Sequence, residues 1–222
     1  PPATVPALVV LLAGAGLGGC GTGPAPAAET VGVGTSVGDD GPAETALAAA
    51  VAVEAAGCRQ AEELTGSGSV VGDELVVTVA HVVAGSTSVS VTDAGGTERR
   101  AVVVGLDTVN DLALLAVAGL SVTPLPLGAL AAGGHGVFVV HDNEGRAAIQ
   151  SATVVRRTDL SMADLYGQGT HVRPGFELDA TVQPGDSGAV VVGDDGRAGA
   201  VVFATSRETA GTGPGPETSG DA

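Results

Sequence analysis

From about residue 48 to residue 206 the chain is written in short valine-rich runs separated by glycine- and aspartate-bearing turns, and this rhythm constrains its fold more than any other feature. The runs span 49–55, 66–71, 74–80, 88–92, 99–105 and 112–117. After a proline-containing segment at 123–127 they resume at 136–141, 147–157, 176–183, 189–192 and 199–204. Val71-Gly72-Asp73, Ala94-Gly95-Gly96, Asn143-Glu144-Gly145 and Asp194-Asp195-Gly196 punctuate them. Many short strands with turns of this kind, and no convincing amphipathic helix, predict an all-β barrel or sandwich. Residues 46–56, ALAAAVAVEAA, read two ways: alanine favours helix, whereas the alternation Val51-Ala52-Val53 suits a strand. No internal repeat or heptad is present.

A chain of 222 residues has room for one large domain or two small ones, and 44% hydrophobic residues are enough for a core. With no Trp, one Tyr and three Phe, that core must be assembled from small and β-branched side chains. The formal charge of −16 repels phosphate backbones, so nucleic acid is not an expected partner.

The N-terminal region points out of the cytoplasm. Residues 3–19 are apolar, short for a spanning helix and close in length to the core of an export signal. They end in Leu17-Gly18-Gly19-Cys20, which resembles the bacterial lipoprotein signal, in which the cysteine is acylated; a plain signal peptide or a single anchor helix is the alternative. The segment begins at Pro1 with neither methionine nor basic residues, so a truncated start is expected. Residues 21–47, rich in Gly, Pro, Ala and acids, cannot offset the entropy of ordering with buried apolar area. They read as a flexible spacer with a reach of roughly 25–30 Å. The expected organisation is thus a signal segment at 1–20, a linker at 21–47, a folded domain at 48–206 and a disordered tail at 207–222.

Three segments carry chemistry. Thr78-Val79-Ala80-His81 closes an apolar strand, Asn110-Asp111 opens another, and Gly185-Asp186-Ser187-Gly188 follows Val182-Gln183-Pro184. Amide hydrolysis by a serine needs an imidazole to take the hydroxyl proton and a carboxylate to hold that imidazole in one tautomer. It also needs N–H donors aimed at the developing oxyanion. A Gly-Asp-Ser-Gly turn suits the last requirement. Gly185 can take a backbone conformation closed to other residues, so that its N–H and that of Ser187 converge, and Gly188 lets the chain pass closely behind the nucleophile.

These segments resemble the motifs of trypsin-like, chymotrypsin-fold serine proteases, in the same order His, Asp, Ser and at a spacing similar to that of bacterial Deg/HtrA enzymes. Asp164-Leu165-Tyr166-Gly167 and the run Phe176-Glu177-Leu178-Asp179-Ala180-Thr181 resemble the membrane-associated periplasmic proteases linked to acid resistance in actinobacteria. The resemblance spans residues 48–206. It implies two six-stranded antiparallel β-barrels with the catalytic groups in the cleft between them. His81 would be the general base, Asp111 its orienter and Ser187 the nucleophile, with Gly185 and Ser187 N–H groups as the oxyanion hole. Asp107 competes for the acid's role, but only Asp111 directly precedes the apolar run. Thr181, six positions before the serine, would lie at the base of the specificity pocket; lacking a carboxylate, it favours an uncharged substrate residue over Arg or Lys. Protein or peptide substrates, an anchor at Cys20, an extracytoplasmic location and no cofactor complete the expectation. His135, His141 and His171 are scattered, so no metal site is expected.

Departures from the family pattern are visible. Ala189 stands for the second glycine of the serine motif, which requires room for a methyl group, and Ser69 stands where an aromatic is usual. The segment 141–145 replaces a Gly/Pro-rich turn. After Ser206 no final strand or helix is recognisable, so the second barrel is expected to be incomplete at its C-terminal end. The acid-resistance-type relatives pair a cysteine like Cys58 with one near the C-terminus, so Cys58 is expected either to be unpaired or to find its partner in a longer natural chain. A protease-like domain that binds without cleaving is the alternative function, and a purely structural envelope lipoprotein is a third.

Overall fold

The computed structural model describes residues 7–11, 41–57, 64–142, 145–183 and 185–203. Cys20, Cys58, most of the spacer and the tail after residue 203 lie outside the described residues, and with them the expected acylation at Cys20 and the expected disorder of the tail.

Two antiparallel barrels make up the fold, with strands close to those read from the sequence. The first comprises β2 (Ala50–Ala56), β3 (Leu64–Gly72), β4 (Leu75–Val79), β5 (Ser88–Asp93), β6 (Glu98–Asp107) and β7 (Leu112–Ala116), in the order β2-β3-β4-β7-β6-β5. Pairing of β5 back onto β2, with Val53 opposite Val91, closes it. Its interior is filled by Val51, Val53, Val70, Val76, Val79, Val91 and Leu115, as the scarcity of aromatics requires.

The second barrel is built from β8 (His135–His141), β9 (Ala147–Ala163), β10 (Thr170–Asp179), β11 (Val190–Gly193) and β12 (Ala198–Phe203). In the order β10-β9-β8-β11-β12 these five strands leave β10 and β12 with open edges, and β1 (Ala7–Leu11) occupies the gap, antiparallel to both. The expected shortfall at the C-terminal end is therefore met by a strand from the N-terminal apolar stretch. A strand-prone run, ALVVL, supplies the backbone groups that two unpaired edges demand.

Several strands of this barrel are covered on both faces. On β11 and β12, Val190, Val192, Val201 and Phe203 belong to the core shared with the first barrel, whereas Val191, Ala200 and Val202 point into the second. Phe138, Val154, Phe176 and Leu178 complete that interior. Burial on both faces explains the uninterrupted apolar runs at 189–192 and 200–203, which would otherwise alternate with polar residues.

The ambiguous alanine stretch divides. Pro42–Ala49 forms helix α1, with Pro42 in its first turn, and Ala50 begins β2. Ala46 and Ala49 are buried where α1 packs against β8 and β11, so the end of the expected spacer is ordered by tertiary contact rather than by propensity. A second short helix, α2 (Ala80–Val83), follows β4, so the fold is not free of helix as the sequence suggested.

The β9–β10 hairpin departs most from expectation. It runs out to a pairing of Thr170 with Ala163, well beyond the apolar runs at 147–157 and 176–183. The added length is polar and exposed along much of its outer face, which hides it from a search for hydrophobic runs.

Candidate active site

Strand register brings the first two segments together. Val79, the last residue of β4, pairs with Leu112, the first of β7, so the residues just beyond them emerge side by side. Ala80 N–H donates to the Asp111 carbonyl (3.0 Å). His81 N–H donates to Asp111 Oδ1 (2.8 Å), and His81 Nδ1 lies 2.7 Å from Asp111 Oδ2. Both carboxylate oxygens are thereby committed to one residue, which fixes the ring's Nδ1 edge against the acid. The His81 side chain remains 36% exposed against 8% for Asp111, so the ring is open to the cleft while its partner is covered.

Asp111 has φ of +57°, a left-handed conformation that costs a residue with a Cβ energy unless its surroundings enforce it. Asp107 supplies part of that enforcement. Its carboxylate accepts from the N–H groups of Val109 (3.0 Å) and Asn110 (2.9 Å) and from the Asn110 side-chain amide (2.7 Å). Partial burial works to raise the Asp107 pKa, but the Asn110 and Val109 donors and the charge of Arg173 outweigh it and hold the acid below its ordinary value. Asp107 is thus a loop tie, not a rival for the imidazole.

The serine turn is fastened to both barrels. Asp186 N–H donates to Gln183 O (3.1 Å) and Ala189 N–H to Asp186 O (3.1 Å), while Gln183 N–H donates to Asp186 Oδ2 (2.7 Å). Gly188 N–H donates to Val202 O and Val202 N–H to Ala189 O, at 2.8 and 2.7 Å, locking the turn to β12. Burial raises the Asp186 pKa, with the Gln183 N–H opposing the shift.

Toward the first barrel, Ser67 N–H donates to the Ser187 carbonyl (2.8 Å). The Ser67 carbonyl accepts from Thr78 Oγ1 (2.8 Å), and the Ser67 hydroxyl accepts from His141 N–H (3.1 Å). Ser67 and Thr78 are fully buried, so this polar knot joins β3, β4, β8 and the serine turn in a water-excluded place.

Glycine is required at the crossing. A Cβ on Gly188, whose φ is +92°, would collide with the Ser67 carbonyl oxygen and Thr78 Oγ1; one on Gly66 would lie 2.9 Å from the Ser187 carbonyl oxygen. Ala189 has the room its methyl group needs and packs fully buried in the second core.

Gly185 takes φ of +100°, and among the described residues neither its N–H nor that of Ser187 donates to another protein group. Ser187 is 6% exposed, and among the described residues its hydroxyl makes no hydrogen bond to His81. Thr181 follows β10 and is exposed. Of the other histidines, His135 is exposed, His171 lies 3.6 Å from Asp164 and His141 is buried with no partner for Nδ1 among the described residues. Burial lowers the His141 pKa, with the Asp142 charge acting against it.

Sequence reasoning missed the roles of Ser67 and Arg173. Ser67 sits in a Gly-Ser-Gly triplet whose glycines mark close backbone approach, a signal open to reading; a single arginine in a polar hairpin gives none.

Two closed antiparallel barrels, with a His–Asp pair on one and a Gly-Asp-Ser-Gly turn of the other docked beside it, define a chymotrypsin-type peptidase. Residues 66–201 match the trypsin-like peptidase domain, and the chain belongs to that family. It is 36% identical over 153 residues to the serine protease Rv3671c of Mycobacterium tuberculosis, covering 68% of this chain and 38% of that protein. It is 33% identical over 136 residues to the Do-like HtrA serine protease of Lactococcus lactis, covering 57% of this chain and 32% of that one. The chain therefore spans about two fifths or less of the length of these curated relatives. The crystal structure of the Rv3671c protease in its active form is similar with a TM-score of 0.66 and 28% identity, over 72% of this chain and 77% of that one.

Proposed function

We propose that the chain is a serine endopeptidase acting outside the cytoplasm on protein or peptide substrates, with His81, Asp111 and Ser187 as its triad. The observation that carries the reading is the two-point hold of Asp111 on His81, through backbone N–H and Nδ1, next to a serine turn bonded to the same barrel through Ser67. With Nδ1–H directed at the carboxylate, Nε2 is the free base. As Ser187 Oγ attacks the scissile carbonyl, its proton passes to Nε2, and the imidazolium is stabilised by Asp111. The carbonyl oxygen gains negative charge, for which the unused N–H groups of Gly185 and Ser187 are available donors. The imidazolium then gives its proton to the departing amine, leaving an acyl-enzyme, and a water activated by the same histidine returns the free serine and an acid. The bond from serine to imidazole is often long without substrate and tightens as substrate binds.

Thr181, polar and uncharged, suits a pocket for a small or medium uncharged residue. Export and acylation at Cys20 would place the domain at the cell envelope. That processing removes Ala7–Leu11, so the segment serves either as export signal or as β1 in any one molecule; N-terminal sequencing of protein from the native host distinguishes the two. Among the described residues no helix is long and apolar enough to cross a membrane.

Peptide-hydrolysis kinetics of the wild-type chain and of Ser187→Ala, His81→Ala and Asp111→Ala test the assignment. Loss on the order of 10⁴-fold or more in kcat for each is expected. Turnover surviving in Ser187→Ala would remove the serine from the mechanism.

A further inference from the structure

The β9–β10 hairpin reaches across to the first barrel, where Leu165 N–H donates to the carbonyl of Thr108 (3.1 Å), inside the loop 107–111 that ends at Asp111. At the root of this reach lies Arg173, only 2% exposed. Its Nη2 donates to the carbonyl of Ala163, the last residue of β9 (2.9 Å), and its guanidinium carbon stands 6.0 Å from the centre of the Phe203 ring on β12. Its Nε is buried with no partner among the described residues.

A buried guanidinium is costly unless an opposite charge and hydrogen bonds compensate it. The charge of Arg173 reaches Asp107 only through space, as the smallest of the influences on that acid. The Asp107 carboxylate in turn ties the N–H groups of Val109 and Asn110, immediately before Asp111 with its left-handed backbone. The hairpin thus meets the loop through the bond from Leu165 to Thr108, and Arg173 fixes Ala163 at the end of β9, two residues before that bond.

We propose that Arg173 is a positioning residue for the hydrolytic reaction: by holding Ala163 at the end of β9 it sets the hairpin whose Leu165 bonds the loop 107–111, and so braces the loop that presents Asp111 to His81. The inference rests on the reading of Asp111 as orienter. The requirement is physical, because Asp111 cannot hold φ of +57° by its own preference, and its carboxylate must meet both His81 N–H and Nδ1 within hydrogen-bond reach. A loop that relaxes shifts the carboxylate, and a displacement of about 1 Å in such a constellation costs on the order of 10²-fold in rate.

The test is a double-mutant comparison on the full chain, with kcat and KM measured on an activated ester so that residual activity remains readable. Arg173→Met in the wild-type background should lower kcat by roughly 10- to 100-fold with KM little changed, and Arg173→Lys should restore part of it. In an Asp111→Ala background the same Arg173→Met change should leave kcat where Asp111→Ala has already put it, because residues that act through one another are not additive. An equal loss in both backgrounds, or no loss in the wild type, overturns the brace while leaving the triad intact. Undiminished turnover by Asp111→Ala overturns the triad reading and the brace with it. If Arg173→Met yields no folded protein by circular dichroism, Leu165→Pro, which removes the donor to Thr108 and suits the second position of the turn Asp164–Gly167, carries the same comparison: a loss confined to the Asp111-containing background supports the proposal, and an equal or absent loss overturns it.

Discussion

Alanine at Gly188 and alanine at Gly185 form a matched pair in which the cost of docking the serine turn on the first barrel can be isolated. Both glycines have positive φ, +92° and +100°, so an alanine at either carries the strain of a left-handed backbone, about 1–3 kcal/mol. They differ in surroundings. A Cβ at Gly185 meets nothing within 4 Å, whereas one at Gly188 runs into the Ser67 carbonyl oxygen and Thr78 Oγ1. Neither obstacle can yield cheaply, because the carbonyl is backbone and the hydroxyl is already bonded to it. Forcing a methyl group into a filled site adds about 1–3 kcal/mol. Gly185→Ala should therefore cost about 1–3 kcal/mol and Gly188→Ala about 2–6 kcal/mol. For a chain of this size each kcal/mol lowers Tm by about 2–4 °C, so Gly188→Ala should melt on the order of 5–20 °C below wild type. Urea unfolding at equilibrium, with the slope checked for constancy, is the assay. Equal destabilisation by the two variants would refute the reasoning, since it would mean that the serine turn does not press on β3 and β4.

Thr78→Val should cost about 1–3 kcal/mol in the same assay, because the buried Ser67 carbonyl loses its donor; a neutral outcome would show that another group serves it. The His141 pKa lies below its ordinary 6.5 through burial, so on acidification the unfolded chain takes up this proton before the folded one. Its contribution is complete above pH 6.5 and is lost as pH falls from 6.5 toward the lower folded value. Stability of the wild type should decline over that window relative to His141→Phe, and parallel pH profiles for the two proteins would contradict the assignment. Ala189→Gly should destabilise by about 1 kcal/mol, since its methyl group fills part of the second core and glycine adds chain entropy to the unfolded state; an unchanged midpoint would mean the site is loose.

The barrel strands were legible because nearly every one combines a hydrophobic run with a turn glycine or aspartate, and strands such as β5 and β7 alternate cleanly between core and surface. The meeting of His81 and Asp111 was legible because both flank strand ends, where register and not distance along the chain decides proximity: they lie 30 residues apart yet meet beside one antiparallel pair. Contacts between residues with no local signature were not legible. The long β9–β10 hairpin is held by backbone pairing and by Arg173, and a lone arginine among polar residues gives no hint that it is buried. The helix at Pro42–Ala49 was hidden for a related reason: alanines specify helix only weakly, and packing against β8 and β11 settles the matter. Closure of the second barrel by Ala7–Leu11 follows from the need of two open strand edges for a partner, which no local pattern in that segment states.

The central claim is that Ser187 is a nucleophile activated by His81, and covalent labelling tests it most directly. The full chain treated with a fluorophosphonate should gain one adduct, located on Ser187 by peptide mass spectrometry. The rate of labelling should fall sharply in His81→Ala, and the adduct should be absent from Ser187→Ala. An adduct on another serine, labelling that is indifferent to His81, or a folded wild-type chain that takes up no label would contradict the account.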